Sequence, residues 1–296
     1  MNLRQIEFAL AVAEESSFTR AARRCHTVQS ALSHQVARLE EELGAALFER
    51  TSRRVRLTPA GEAFVRQAYT TLEAARRITE EVAAATGQVR GHLSIGAISA
   101  LGHLDIVALI AAFHARYPEV EIRLVQRGSE ELLEQLHLER LDLAFVGLWQ
   151  GERLDGVTHL RLAQETLLAL LPPGHPLSER KRLTLESLSN MSLVDFPRDS
   201  SARRQTDKAF AAVGVARQVR FEVNHLELIA QFVARGLAAA LVPESVAANL
   251  RGVVPVPVRD APKRVLYAAW PKAPSPAAKA FIALLREHLP LGADNT

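Results

Sequence analysis

The sequence has 296 residues, 48% of them hydrophobic, and this composition predicts two or three domains with sizeable buried cores. A formal net charge of only +3 excludes a chain that behaves as a polyelectrolyte, so the placement of charge carries more information than its total. The single cysteine, Cys25, excludes an internal disulfide and a cysteine metal cluster.

The N-terminal segment lacks the features of a secretion signal. Glu7, Glu14 and Glu15 interrupt its apolar residues, and no stretch approaches the ~20 apolar residues that a membrane-spanning helix needs. We therefore expect a cytoplasmic, reducing location. Cys25 falls in an apolar helical stripe, which favours a buried core thiol over a redox sensor.

Three helices are predicted within the first 44 residues. The first covers residues 3–14, the second follows Ser17 as its N-cap, and the third is TVQSALSHQVARLEEELG, residues 27–44. A turn of about three or four residues between the second and third helices predicts a helix-turn-helix. The apolar stripe that we expect the third helix to bury consists of Val28, Leu32, Val36, Leu39 and Leu43.

The opposite face of the third helix carries short polar side chains, which allow a helix to enter a DNA major groove closely. Gln29 can pair with the edge of adenine, and serines can bond bases or phosphates. The acidic run 40–42 would be repelled by phosphate, so the N-terminal half should make the contacts. A merely solvated face is the alternative. The candidates on this helix are Thr27, Gln29, Ser30, Ser33, His34 and Arg38.

The segment LFERTSRRVRLTPAG, residues 47–61, predicts a turn followed by a short strand, as in a β-wing. Val55 and Leu57 alternate inward with arginines outward. Arg53 and Arg54 are expected to contact the DNA backbone or minor groove, with an exposed charge run as the alternative. Arg50 is a further DNA candidate, although it could instead pair with a nearby glutamate.

A long helix is predicted from Pro59 to about Thr86, since Thr58 and Pro59 form an N-cap followed by a proline at the first helical position. At 1.5 Å per residue this helix is about 40 Å long. Its apolar stripe is too long to be buried on the small N-terminal head, residues 1–58. A partner helix from a second copy of the chain is therefore implied. The stripe comprises Phe64, Ala68, Leu72, Ala75, Ile78 and Val82.

From Gly91 onward, strands alternate with helices, which implies parallel sheets covered by helices. Two such units fit the pattern, with the chain crossing between them near 163 and returning near 266. The predicted domains are residues 1–58, a linker helix 59–90 and a regulatory domain 91–296. Within the last, lobe I comprises 91–163 and 267–296, and lobe II comprises 164–266.

This organisation resembles that of the LysR-type transcriptional regulators. The resemblance is most specific in FTRAARRCHTVQSALSHQVARLEEELGAALFERTSRRVRLTPAGE, residues 18–62, and is supported by IGAISALGHL, YPEVEIRLVQRGSEELLEQL, LDLAFVG, GHPL and VARGLAAALVPESVA. Three positions depart from the family pattern. Val28 stands where Ser or Thr is common, Ser30 where proline is frequent, and His34 where arginine is frequent.

The resemblance implies an α plus α/β fold: a winged helix-turn-helix, a long linker helix and a two-lobed effector domain similar to periplasmic binding proteins. It also implies a sequence-specific regulator that binds double-stranded operator DNA and responds to a small-molecule effector. Expected partners are further copies of the chain, as a homodimer or homotetramer, and RNA polymerase.

The effector site is expected at the carboxyl ends of the strands, where ligands of open parallel sheets bind. Hydroxyls and basic groups at helix starts suit a small carboxylate, with Arg198 or Arg203 supplying a full charge. For each residue simple helix capping is the alternative, and a constitutive regulator with a closed cleft is the alternative for the whole site. The candidates are Ser99, Ala100, Ser129, Gly147, Phe196, Arg198, Ser201, Arg203 and His225.

Two other classes of protein fit the sequence less well. An enzyme is disfavoured because the sequence shows no nucleophile–base pair, metal-ligand spacing or phosphate loop, and GAISALGHL is not a GxSxG motif. We accordingly expect no cofactor and no metal. A secreted solute-binding protein would need a signal sequence and would not need residues 1–86.

Overall fold

The computed structural model describes residues 1–50 and 55–289, with Arg50 described by its backbone alone. These residues form two compact units. The first consists of Met1–Gln88 with Leu138–Arg140, and the second contains the remaining described residues. Within the described ranges, no helix is long and apolar enough to span a membrane.

The first unit is a winged helix-turn-helix followed by a long helix, as predicted. Asn2 and Ser17 cap the first two helices through side-chain oxygens that accept backbone N–H bonds, and Thr58 does the same for the fourth helix ahead of Pro59. The elements are α1 (Leu3–Glu15), α2 (Phe18–Arg24), α3 (Gln29–Leu43), β1 (Phe48–Arg50), β2 (Val55–Leu57) and α4 (Pro59–Ala85).

The core of the first unit joins α1, α2 and α3. Leu32, Val36 and Leu39 are fully buried there, as their spacing predicts. The prediction is wrong for Val28, which is 66% exposed, and for Leu43, which is 41% exposed. Val28 precedes the first helical residue, so it does not follow the helical period, and Leu43 is the last residue before a left-handed glycine that ends the helix.

Cys25 lies half-buried beside this core rather than inside it. Burial is the main reason that the pKa of its thiol is raised. A raised thiol pKa disfavours the reactive thiolate.

The predicted stripe of α4 divides into two parts. Ala68 is buried against α1, and Phe64 and Leu72 pack on the same cluster. Farther along the helix, Ile78 is 67% exposed and Val82 is 63% exposed. Helix α1 therefore covers only the first half of the apolar stripe.

Tyr69 provides a polar link between α4 and α1, because its hydroxyl donates a hydrogen bond to the Glu14 carboxylate. Burial, followed by this bond to a carboxylate, raises the pKa of Tyr69 to about 12, from an ordinary value of 10.0. The neutral phenol is thus the form that the folded unit favours. Its stabilising contribution is complete below pH 10 and is lost as the pH rises through about 12.

Titration of the folded protein at 295 nm is expected to show one of its three tyrosines ionising near pH 12. Tyr69→Phe should remove that step. A folded protein in which no tyrosine ionises near pH 12 would contradict the burial of Tyr69 and its bond to Glu14.

The second unit is a mixed α/β structure. Its first half contains β3 (Gly91–Ala97), α5 (Ile106–Arg116), β4 (Val120–Gln126), α6 (Ser129–His137), β5 (Leu143–Trp149) and β6 (Thr158–Leu171). Its second half contains a 3-10 turn (Pro176–Glu179), α7 (Leu185–Ser189), β7 (Ser192–Asp195), α8 (Ser201–Ala212), β8 (Gln218–Glu222), α9 (Leu226–Ala234), β9 (Ala240–Pro243), α10 (Glu244–Ala247), β10 (Val254–Pro257), β11 (Lys263–Trp270) and α11 (Pro276–His288).

The sheets of this unit are only partly parallel. Strand β3 pairs in parallel with β4 and β5, and β7 pairs in parallel with β8, as the alternating pattern predicts. The prediction is wrong for β6 and β11, which run antiparallel to each other, and β11 is also antiparallel to β5. Strand β6 leads the chain from the predicted lobe I into lobe II, and β11 returns it to lobe I. The two strands therefore run in opposite directions and pair directly, without the helical crossover that parallel strands need.

The strand order of the main sheet is β10-β6-β11-β5-β3-β4, with β9 also paired to β6. Separate apolar cores lie at its two ends. One joins β3, α5 and α11, and another joins β7, α9 and β9. The predicted lobe boundaries at 163 and 266 fall inside the crossing strands β6 and β11.

Candidate functional site

The polar face of α3 is the candidate DNA-binding surface of the first unit. Gln29, Ser30, His34 and Arg38 are exposed along it, whereas Thr27 and Ser33 are half-buried. Four residues separate α2 from α3, in agreement with the predicted turn. The helix is capped at Val28 without a side-chain hydrogen bond, so the hydroxyl of Thr27 does not cap it.

The acidic end of α3 has structural partners. Glu40 accepts hydrogen bonds from the backbone N–H groups of Leu47 at 2.8 Å and Phe48 at 3.1 Å, which ties the helix to the base of the wing. Glu42 pairs with Arg38, with 3.4 Å between Nε and Oε1, and also with the N-terminal ammonium. The positive charge of Arg38 is therefore partly neutralised, and Glu40 is an anchor that sequence reasoning did not identify.

The wing is a two-stranded antiparallel ribbon in which Phe48 lies opposite Leu57. Arg56 is exposed on it. The predicted contacts of Arg53 and Arg54 lie outside the described residues, as does the side chain of Arg50.

A cavity of about 550 Å³ in the second unit collects most of the predicted effector residues. It opens beyond the carboxyl ends of β3, β4 and β7, where the parallel-sheet rule places ligands. The predicted residues in its wall are Ser99, Ala100, Ser129, Gly147, Phe196, Ser201 and His225.

The hydroxyls in this wall differ in what they bond. The Ser129 hydroxyl donates to the carbonyl oxygen of Gly147 and accepts from its N–H, both at 3.1 Å, so it is occupied. Ser201 donates to Glu152 at 3.3 Å. Ser99 was expected at a helix start, but α5 begins at Ile106 with Asp105 as its N-cap, so Ser99 lies exposed in the preceding loop.

Arg198 and Arg203, which were expected to supply a cation, lie outside the cavity wall. The side chain of Arg198 is 84% exposed and pairs with Glu222 at 3.5 Å. Arg203 is buried, and its Nη1 donates to Glu222 at 3.1 Å and to the carbonyl oxygen of Phe196 at 3.2 Å. Neither guanidinium presents its charge to the cavity.

The wall instead contains a buried arginine that sequence reasoning missed. Arg264 lies on β11, and its Nε and Nη2 donate to Glu165 Oε2 at 2.8 and 2.6 Å. Its Nη2 also donates to the carbonyl oxygen of Ala100 at 2.8 Å. An arginine within the otherwise apolar stretch RVLYAAW was the sequence signal that could have identified it.

Helix α8 contacts the other side of the cavity. Arg204 pairs with Glu130, which follows β4, and lies 3.7 Å from Glu152, which follows β5. Lys208 lies over the ring of Trp149 at 3.4 Å from its centroid. These contacts hold α8 against the ends of β4 and β5. The described residues contain no cluster of His, Cys, Asp and Glu suited to a metal ion.

Comparison with known proteins relates both units to one family. Residues 3–62 match the bacterial regulatory helix-turn-helix protein, lysR family, and residues 86–290 match the LysR substrate binding domain. The chain is 31% identical over 299 residues to the hydrogen peroxide-inducible genes activator of Dickeya chrysanthemi, covering 98% of this chain and 97% of that protein. It is 34% identical over 260 residues to the transcriptional dual regulator GltC of Bacillus subtilis, covering 87% and 86%.

Solved structures agree with this assignment. CbnR, a LysR family transcriptional regulator, matches with a TM-score of 0.72 and 26% identity, over 100% of both chains. CbnR in complex with its target DNA matches with a TM-score of 0.70 and 26% identity, over 97% of this chain and 99% of that one. The fold and both sequence matches show that this chain belongs to the LysR family of transcriptional regulators.

Proposed function

We propose that this regulator reads operator DNA with the N-terminal half of α3 and that a small molecule bound in the cavity of the second unit controls the outcome. As a member of the LysR family the chain is a DNA-binding transcription regulator and not an enzyme. The observation that carries the effector proposal is the cavity itself, whose volume of about 550 Å³ falls within the range of small-molecule sites. A closed cleft, as in a constitutive regulator, would offer no such volume.

Base reading is assigned to the exposed residues at the start of α3. Gln29 and Ser30 carry the hydrogen-bonding groups, and the exposed Val28 adds an apolar surface that suits the methyl group of thymine. Thr27, Ser33, His34 and Arg38 flank them, and the wing arginines Arg50, Arg53 and Arg54 are proposed to bind the backbone or minor groove.

Gln29→Ala is expected to weaken binding to the specific operator by ~1–3 kcal/mol and to relax one base preference, because it removes a bidentate pair. Glu41→Ala, at the exposed acidic end of the same helix, is the matched control and should not weaken binding. Fluorescence anisotropy with operator variants measures both effects. Unchanged affinity and base preference in Gln29→Ala would remove this residue from the reading surface.

The proposed effector is a small anionic molecule that carries a carboxylate group. Support comes from the exposed Ser99, the helix starts at Ser129 and Ser201, and the nearby His225. A metabolite panel tested by thermal shift on the full chain would identify it, since a ligand stabilises the fold by RT ln(1 + [L]/Kd). Ser99→Ala should reduce that shift and leave ligand-free DNA binding intact. A panel in which nothing changes the melting temperature or the DNA affinity would contradict effector control.

A response to peroxide through thiol oxidation is not what we propose, although a similar protein is named a hydrogen peroxide-inducible genes activator. Reversible oxidation by peroxide needs a cysteine thiolate. The sequence has none between residues 86 and 290, and the single Cys25 has a raised pKa beside the helix-turn-helix core. We therefore propose a ligand that binds without a covalent step.

Assembly is proposed to proceed through α4, whose exposed Ile78 and Val82 leave an apolar stripe for the same helix of a second copy. Two heads then match a two-fold related operator. We propose a dimer or a dimer of dimers, acting in the cytoplasm with RNA polymerase.

A further inference from the structure

Two donor atoms in the cavity wall, each on a buried residue, have no hydrogen-bond partner among the described residues. Arg264 is 8% exposed, and all its hydrogen bonds use Nε and Nη2, which leaves Nη1 without a partner among the described residues. Gln205 of α8 is 6% exposed, and its Nε2 is buried without a hydrogen bond within the same described ranges. Both residues line the cavity.

The buried Nε2 of Gln205 calls for an explanation, because leaving a buried polar group unpaired costs about 1–3 kcal/mol and native proteins rarely do so. The other buried charged residue in the wall, Asp195, already has hydrogen-bond partners. Asp195 accepts hydrogen bonds from Phe196 N, Thr206 Oγ1 and Arg217 Nη1 at 2.6 to 2.8 Å. The free donors thus belong to Arg264 and Gln205.

Glu165 positions the guanidinium of Arg264. Oε2 of Glu165 accepts hydrogen bonds from Nε and Nη2 of Arg264. Glu165 is only 4% exposed. This arrangement holds the planar fork in one orientation and directs its remaining nitrogen away from the pair. Burial lowers the pKa of Arg264, and Glu165 opposes that effect, but an arginine side chain remains charged at neutral pH.

We propose that the effector is a hydrophobic monocarboxylate whose two carboxylate oxygens accept hydrogen bonds from Arg264 Nη1 and Gln205 Nε2. A carboxylate offers two acceptor oxygens, one for each of the two donors, which reach the same cavity from β11 and from α8. The inference rests on the proposed effector site and names the chemistry that the site selects.

The rest of the wall decides against other classes of ligand. Its apolar side chains, among them Phe196, Leu226 and Leu241, suit a hydrocarbon or aromatic body. A second anionic group would meet acidic residues of the wall, which are Glu130, Glu131 and Asp199. A cation would leave Arg264 Nη1 and Gln205 Nε2 without an acceptor.

The test uses isothermal titration calorimetry of the full chain with matched probes: benzoate, phenylacetate and 4-methylpentanoate, each beside its primary amide, together with phthalate and benzylamine. At least one monocarboxylate is expected to bind. Its primary amide, phthalate and benzylamine should each bind about ten- to a hundredfold more weakly, which is the effect of losing a charge-assisted hydrogen bond. Binding by an amide or by benzylamine equal to that of the best monocarboxylate would overturn the proposal.

Two substitutions separate recognition from structure. Arg264→Lys keeps a positive charge beside Glu165 but loses the fork, and it should lower carboxylate affinity at least tenfold. Gln205→Leu removes an unsatisfied buried group of similar size, so it should leave the melting temperature unchanged or raised while carboxylate affinity falls about tenfold. Arg198→Gln, at an exposed arginine outside the wall, is the control and should change neither quantity.

The outcomes distinguish this inference from the effector proposal itself. If Gln205→Leu and Arg264→Lys both fold and bind the carboxylate as the unaltered protein does, the assignment of the two donors is wrong. If no monocarboxylate binds but a broader metabolite library yields a ligand whose thermal shift is reduced by Ser99→Ala, the ligand class is wrong and effector control stands. If no compound shifts the protein at all, both proposals fail.

Discussion

Replacing both Ile78 and Val82 of α4 with glutamate is expected to convert the protein to monomers and to weaken operator binding by about 10²–10⁴-fold. The two side chains are 67% and 63% exposed in the single chain, so burying them requires a partner. Two linked heads bind two half-sites with a high effective concentration, and separated heads lose that advantage. Because neither side chain belongs to an apolar core formed by residues 1–50 and 55–289, the fold of each unit should persist.

Sedimentation velocity and fluorescence anisotropy measure the two parts of this result. Leu72 is a poor target for it, because Leu72 packs on α1 and a glutamate there would disturb the head. Thr70→Glu, at an exposed position on another face of α4, is the control and should remain oligomeric. An Ile78→Glu, Val82→Glu protein that sediments like the unaltered chain would show that α4 is not the dimer contact.

Arg217→Ala should destabilise the second unit by ~3–5 kcal/mol, the usual cost of leaving a buried charge without its partner. The side chain of Arg217 is 6% exposed, and its Nη1 donates to Asp195 Oδ2 at 2.6 Å while its Nε donates to Asp207 Oδ1 at 2.9 Å. Asp195 in turn bonds Thr206 of α8 at 2.8 Å. The substitution therefore releases the end of β7 and the helix that carries Gln205.

This loss of stability should depend on pH. Burial raises the pKa of Asp195, and the charge of Arg217 opposes the shift, so removing Arg217 raises the pKa further. Asp207 is also partly buried, yet Arg217 and Arg203 hold its pKa below the ordinary value, so its contribution is present above pH 3.8 and is lost as the pH falls. Both effects predict that the difference in stability between the two proteins shrinks as the pH decreases.

Urea unfolding at pH 8, pH 5 and pH 3 measures the difference, with Arg198→Ala as the control. The side chain of Arg198 is 84% exposed, and its loss should change stability by no more than about 0.5 kcal/mol. Equal stability of Arg217→Ala and Arg198→Ala at pH 8 would mean that the buried network contributes nothing to the fold.

Local signals in the sequence were enough to predict the helices of the first unit. Ser17 ahead of α2 and the pair Thr58–Pro59 ahead of α4 are caps that act within three residues, so the chain encodes them without reference to distant parts. Residues 18–62 were likewise sufficient to identify the family, because the spacing of the helix-turn-helix and wing is a property of one continuous segment. The candidate residues at strand ends followed from the alternation of strands and helices.

Long-range pairing decided the rest. The antiparallel course of β6 and β11 depends on segments about a hundred residues apart, and no local pattern specifies which strands become neighbours. The same pairing brings Arg264 to Glu165 and into the cavity wall, while Arg198 and Arg203, which looked better placed, bond to Glu222. Periodicity showed that α4 has an apolar stripe, but only its packing on α1 separated Leu72 from Ile78, since burial is set by what lies opposite a helix and not by the helix itself.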